Sequence, residues 1–247
     1  MYDTVNGLVL RSVRYKEAAK ILTVLTDRYG KLTITDHGAL GKSGKSGAAD
    51  QILCYSEFTL QELKGRYTVK EARAKEQFLG LRQDIAALAM GCYFAEVLEC
   101  VCGENLADAE ALSLALNALY ALSNGLFPAE QIKAVFELRL LSSEGYLPEL
   151  NRCPICGRTA VGQPFFSPEN GILHCRDCGA SVPGNSLRLE PGALQAMRYV
   201  VSVPAKRAFS FRLEGAEAEN FSLVCERFLL RQLDRNFESL NYWKNVK

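Results

Sequence analysis

Four cysteines fall into two tight pairs, Cys153-Pro-Ile-Cys156 and Cys175-Arg-Asp-Cys178, in the pattern C-x2-C-x18-C-x2-C. Two turns of this kind each present two sulfurs to one tetrahedral ion, the arrangement of a structural zinc site. A glycine follows each pair (Gly157 and Gly179) and tolerates the positive φ that such turns often need. A closed four-sulfur shell has no open position for water or substrate. The expected cofactor is therefore structural Zn2+, with Cys153, Cys156, Cys175 and Cys178 as its ligands. Redox dithiols would need a strand-to-helix context, whereas Pro-, Gly- and Arg-rich segments surround these pairs. His174 reads as a neighbour of the site, and Cys54, Cys92, Cys100, Cys102 and Cys225 as small buried hydrophobes.

No catalytic constellation accompanies the quartet. The two histidines, His37 and His174, stand in no recognisable motif with a nucleophile, and HExxH and G-x-S-x-G are absent. The segment Gly38–Gly47 carries four glycines, two lysines and two serines, but five residues separate Gly38 from Gly44 where a phosphate loop has four. The chain reads as a binding protein and not an enzyme.

Charge is unevenly spread behind a net +1. Residues 1–75 carry 13 Lys/Arg against 8 Asp/Glu, residues 76–150 carry 3 against 11, and residues 151–247 carry 13 against 9. A basic first segment beside an acidic second one favours polyanions at one surface only. The cations Arg11, Arg14, Lys16, Lys20, Arg28, Lys31, Lys42 and Lys45 suit phosphate neutralisation. Tyr15, Tyr29, Tyr55 and Tyr67 interleave with them and offer stacking faces for unpaired bases, DNA or RNA alike; Tyr15 is the tyrosine assigned to that site. Lys133 and Arg139 stand nearly alone among carboxylates, either ion-paired or serving an anionic protein partner. Arg227, Arg231 and Arg235 recur every four residues as a ridge that is either solvated surface or a polyanion contact.

These residues need a scaffold. Leu8–Leu10, Ile21–Thr26, Lys31–Thr35, Tyr55–Leu63 and Arg66–Glu71 read as strands, several with period-2 alternation, and suit a small closed barrel of the OB type. Phe58 and Leu60 share its inner face. From residue 78 the period turns helical. Asp108 caps a helix over Ala109–Ser123, another runs from Pro128 to Gly145, and two more follow from Glu190 and over Glu217–Phe237. The expected class is α+β multidomain: an OB-fold barrel at 1–77, an all-α helical bundle at 78–150, an inserted four-cysteine zinc module at 151–182, and C-terminal helices packing on the bundle at 183–247. Met1–Gly7 lacks the basic and apolar regions of a signal peptide, and no run of about 18 apolar residues occurs. A cytoplasmic, nucleoid-associated location is expected.

Three stretches together resemble the RecO recombination mediators of bacterial DNA repair. Gly7–Lys31 is similar to that family's first barrel hairpin, His37-Gly-Ala with the Lys/Ser loop to its basic inter-strand segment, and Arg139–Gly157 to a helix end running into the first knuckle. Leu40 departs from the pattern, where the family usually has another basic residue. The resemblance implies a non-catalytic protein that binds single- and double-stranded DNA and anneals complementary strands. It also implies contact with single-strand-binding protein, and, with RecR and sometimes RecF, loading of the RecA recombinase onto gapped DNA. A protein-interaction scaffold with incidental nucleic-acid binding is the competing expectation.

Overall fold

Alternating apolar residues wrap the first five strands into a closed barrel. The computed structural model describes residues 2–15, 19–37, 47–159 and 164–247. Strand β1 (Tyr2–Tyr15) pairs antiparallel with β2 (Ala19–Thr26), which pairs with β3 (Gly30–Asp36). Strand β4 (Tyr55–Leu63) pairs with β1 and with β5 (Arg66–Glu76). A short parallel contact, Ile34↔Tyr67 and Thr35↔Thr68, closes the order β1-β2-β3-β5-β4. Val5, Val9, Leu22, Val24, Leu32, Ile34, Phe58 and Leu60 fill the interior. Each such side chain is worth roughly 1.5–3 kcal/mol of burial.

Leu8 and Leu25 point the other way by strand alternation, yet both are fully buried. Helix α1 (Ile85–Val101) packs against β1, and α2 (Ala109–Ser123) against β1 and β2, so helices cover this part of the barrel's outer wall. Asp84 and Asp108 cap the two helices through backbone N–H groups of the first turn. Gly30 sits at φ +63° with its backbone against Leu106; a Cβ there would lie 1.8 Å from the Leu106 carbonyl oxygen. Only glycine admits both that conformation and that approach.

Two compact units divide the chain, Met1–Asn124 with Phe237–Lys247, and Gly125–Asn236. This division runs across the expected bundle at 78–150. Helices α1 and α2 belong with the barrel, and so does a short last helix absent from the sequence reading. Phe237 meets Tyr93 edge-on at 5.7 Å, and Glu96 accepts from the Ser239 N–H at 3.1 Å and from its hydroxyl.

In the second unit α3 (Ala129–Ser143) is buried at every residue from Gln131 to Leu138, which explains its lack of a polar face. Gly145, at φ +94°, ends it, and the Tyr146 N–H returns to the Leu141 carbonyl. Strands β6 (Pro164–Ser167), β7 (Ile172–Cys175) and β8 (Leu187–Arg188) form a small sheet in order β7-β6-β8. Helices α4 (Pro191–Ser202) and α5 (Gly215–Gln232) pack on α3 and on each other. The expected helix Glu217–Phe237 stops early, because Asp234 takes φ +45° and the Arg235 N–H closes on the Leu230 carbonyl. The chain then forms α6 (Glu238–Val246), the last helix of the barrel unit. No helix among the described residues is long and apolar enough to cross a membrane.

Candidate nucleic-acid interface and metal centre

The four cysteines converge. Sγ atoms of Cys153, Cys156, Cys175 and Cys178 all lie within 4.8 Å of one another, and Cys156 and Cys175 stand 3.7 Å apart. A tetrahedral ion with sulfur at about 2.3 Å sets neighbouring sulfurs about 3.8 Å apart, so the quartet fits one metal ion. The first knuckle is a turn in which Gly157, at φ +74°, donates to the Cys153 carbonyl at 2.8 Å. The second leaves the end of β7 into a 3-10 turn, Arg176–Ser181, and there Gly179 needs no positive φ, unlike the expectation for it.

Burial opposes ionisation of Cys153, but backbone groups of Cys156, Cys175 and Ile155 favour its thiolate and bring it down to about 6. Hydrogen bonding with Cys175, burial and the other sulfurs push Cys178 up to about 12. Four thiolates this close need a cation before all can ionise together. His174 is a neighbour, as expected: Nδ1 lies 3.0 Å from the Cys175 carbonyl and Nε2 2.7 Å from the Ser186 hydroxyl, with the ring stacked on Phe165.

The described cations expected at the barrel separate into four that are held and one, Arg14, that is not. Lys16, Lys42 and Lys45 lie outside the described residues, as does nearly all of the Gly38–Gly47 loop. Lys20 is paired with buried Asp50 at 2.7 Å. Arg28 is paired with Asp3 and donates to the Thr4 carbonyl at 2.8 Å, while the Tyr29 hydroxyl meets the same carboxylate. Lys31 donates at 2.6 Å to the Glu99 carbonyl in the last turn of α1. Arg11 meets the Glu99 side chain at 3.0 Å. Arg14 is exposed and without an ion pair among the described residues, beside exposed Tyr15 at the end of β1.

Further exposed cations lie on the barrel beyond those expected. Lys64, Arg66, Lys70 and Arg73, on β5 and its turn from β4, are exposed and carry no ion pair among the described residues. Lys64 and Gly65 at φ +51° and +73° make the two-residue hairpin turn that projects them. Lys75, next along, reaches Glu57 at 3.3 Å and Asn6. Strand alternation puts Arg66 and Lys70 on one face, and Arg73, three residues on, follows the register shift opposite Thr59 and Leu60. Tyr67 is half-buried and packs on the barrel core, so it is not a free stacking face.

Lys133 lies inside the fold, and Arg139 is half-buried. Lys133 is fully buried, with Nζ 3.0 Å from Glu137 and 3.2 Å from Glu226. Burial disfavours its ammonium form, but the two carboxylates outweigh that and raise its pKa. Arg139 directs its guanidinium to the Val200 and Val201 carbonyls in the last turn of α4, where a cation is favoured. Of the two readings open for this pair, the ion-paired one describes Lys133, which offers no surface for a partner. The expected arginine ridge also shortens. Arg235 is beyond the end of α5, Arg231 lies 3.7 Å from Glu169, and Arg227 and Arg231 rim a 240 Å³ cavity with Leu187 and Leu223.

A closed OB-like barrel joined to helices and a four-cysteine cluster defines a class of protein, and comparison with known sequences identifies it as one of DNA repair. The family model described as Recombination protein O N terminal matches residues 1–78, and Recombination protein O C terminal matches residues 82–241. The chain is 31% identical over 245 residues to the DNA repair protein RecO of Acetivibrio thermocellus, covering 99% of this chain and 97% of that one. It is 30% identical to the protein of the same name from Desulforudis audaxviator (99% and 97% covered), and 27% identical to that of Alkaliphilus metalliredigens (97% and 98%). The chain belongs to the RecO family.

Proposed function

We propose that this protein is a non-catalytic recombination mediator. It binds single- and double-stranded DNA, anneals complementary strands, and with RecR, sometimes with RecF, helps load RecA onto gapped DNA coated with single-strand-binding protein. The observation that carries the DNA-binding part is the exposed cationic group on β5 and its turn, Lys64, Arg66, Lys70 and Arg73, with Arg14 at the end of β1, none ion-paired among the described residues. These side chains can exchange counterions for phosphates without first breaking an internal ion pair. Arg11, Lys20, Arg28 and Lys31 are held by carboxylates or a carbonyl and contribute less. The outer wall at Leu8 and Leu25 is covered by helices, which leaves the β4–β5 side for the nucleic acid.

Zn2+ is the metal proposed for Cys153, Cys156, Cys175 and Cys178, in a structural role, since all four donors are cysteine sulfurs within 4.8 Å of one another. The family relationship supports the partners and a cytoplasmic, nucleoid-associated location. Single-strand binding measured against salt tests the reading. The variant with Arg66, Lys70 and Arg73 all changed to alanine is expected to bind more weakly, with a log–log salt slope shallower by about 2, at roughly 0.7 per phosphate contact. An unchanged slope in a folded variant removes this surface from the proposal.

A further inference from the structure

All nine cysteines are described, and Cys156 alone is exposed; Cys178 is half-buried, and Cys153 and Cys175 are buried. The remaining thiols have a different setting. Cys54, Cys102 and Cys225 are buried and Cys92 and Cys100 partly so, and burial raises the pKa of Cys54, Cys92 and Cys225, which keeps those thiols protonated and unreactive. Within the quartet, ligands are thiolates once a cation is bound. Cys156 is therefore the most exposed of the four sulfurs, and its sulfur lies 3.7 Å from that of Cys175. Cys175 is held at the end of β7 by pairing with Pro164 on β6, so the second sulfur is presented from ordered sheet.

We propose that Cys156 and Cys175 form a peroxide-sensitive pair within the metal centre, with Cys156 the attacking thiolate and Cys175 the resolving one. The Cys156 sulfur gives an electron pair to one oxygen of hydrogen peroxide. The O–O bond breaks, hydroxide leaves and takes a proton to become water, and Cys156 becomes a sulfenic acid. The Cys175 thiolate then attacks that sulfur; the S–O bond breaks, and a second hydroxide is protonated to water. Two thiolates are oxidised to one disulfide while one peroxide and two protons become two waters. The disulfide would leave Cys153 and Cys178 as the only sulfur ligands, too few to hold an ion there. The new bond joins the first knuckle to the second, so the covalent link replaces the tie that the metal supplied and reduction can restore the site.

The experiment uses the full-length zinc-loaded protein with stoichiometric hydrogen peroxide. It follows metal release with a chromogenic chelator and maps disulfides by peptide mass spectrometry. The expected result is a Cys156–Cys175 disulfide forming in step with one zinc released per chain, reversed by a thiol reductant with added zinc. The variant Cys156→His keeps a fourth ligand without the attacking sulfur, and its release is expected to be at least ten-fold slower. A disulfide confined to one knuckle, earlier oxidation of Cys92 or Cys100, or unchanged release from zinc-loaded Cys156→His overturns the proposal. Should that variant fail to hold zinc, the disulfide map of the unmodified protein decides. None of these readouts depends on DNA binding.

Discussion

Lys20 reaches the carboxylate of Asp50, 2.7 Å away and 30 residues further along the chain, and Asp50 is buried to 1% exposure. A lysine that looked free for phosphate in the sequence is instead an anchor. It ties the start of β2 to the segment that leads into β4. The Lys20→Ala variant is expected to lose roughly 3 kcal/mol in urea unfolding, as for removal of one partner from a buried pair. Its DNA affinity should stay close to that of the parent protein.

Asp3 plays the opposite part for Arg28. The hydrogen bond from Tyr29, then that from Arg28, holds the Asp3 carboxyl below its ordinary 3.8, so it is ionised near neutral pH and occupies the guanidinium. Asp3→Asn is expected to release Arg28 to the solvent. Single-strand affinity at low salt should rise, with the salt slope steeper by about 0.7, the share of one phosphate contact. Fluorescence anisotropy over a salt series checks this, and an unchanged slope would show that Arg28 faces no nucleic acid even when freed.

Lys133 lies between Glu137 and Glu226 in the core of the second unit. Lys133→Ala leaves two buried carboxylates without their cation and is expected to destabilise the fold by about 3–5 kcal/mol. The pH dependence has a definite sign. Because the folded pKa is raised above 10.5, the contribution is complete below that value and is lost as pH rises from 10.5 through the folded pKa. Denaturant titrations at alkaline pH should show a steeper fall for the parent protein than for Lys133→Met.

Chelation of the proposed zinc is expected to loosen the first knuckle and the 3-10 turn Arg176–Ser181 while leaving the barrel intact. Hydrogen exchange should rise at Cys153–Arg158 and Cys175–Ser181, the two turns whose sulfurs the proposed ion would tie together. Exchange in β1–β5 should not change. Loss of protection in the barrel as well would mean that the metal supports more than its own module.

Local signals were readable in the chain itself. The metal quartet was legible because two turns of four residues fix two sulfurs each, and glycine marks the first turn at Gly157. The barrel core was legible at Phe58 and Leu60 because strand alternation sorts faces without knowledge of partners. The caps Asp84 and Asp108 and the stop at Gly145 act over a few residues; Asp108 and Gly145 marked their helix ends in the sequence, whereas Asp84 emerged only with the fold. The strands β6, β7 and β8 were not legible, since pieces of two to four residues carry too little period to stand out.

What the tertiary structure decided was which charges are available. Arg11, Lys20, Arg28 and Lys31 are equivalent to Arg66, Lys70 and Arg73 in any count of cations. They differ only through Glu99, Asp50 and Asp3, partners set by strand register and helix packing over long sequence separations. Lys133 shows the same in the core, where α3 is buried on all sides and brings the ammonium to Glu226 of α5. A pattern of residue types sets how the chain turns and which face is apolar, because those are short-range steric and solvation effects. Whether a given charge is spent inside the protein or left for DNA is set by long-range pairing, and only the folded chain shows it.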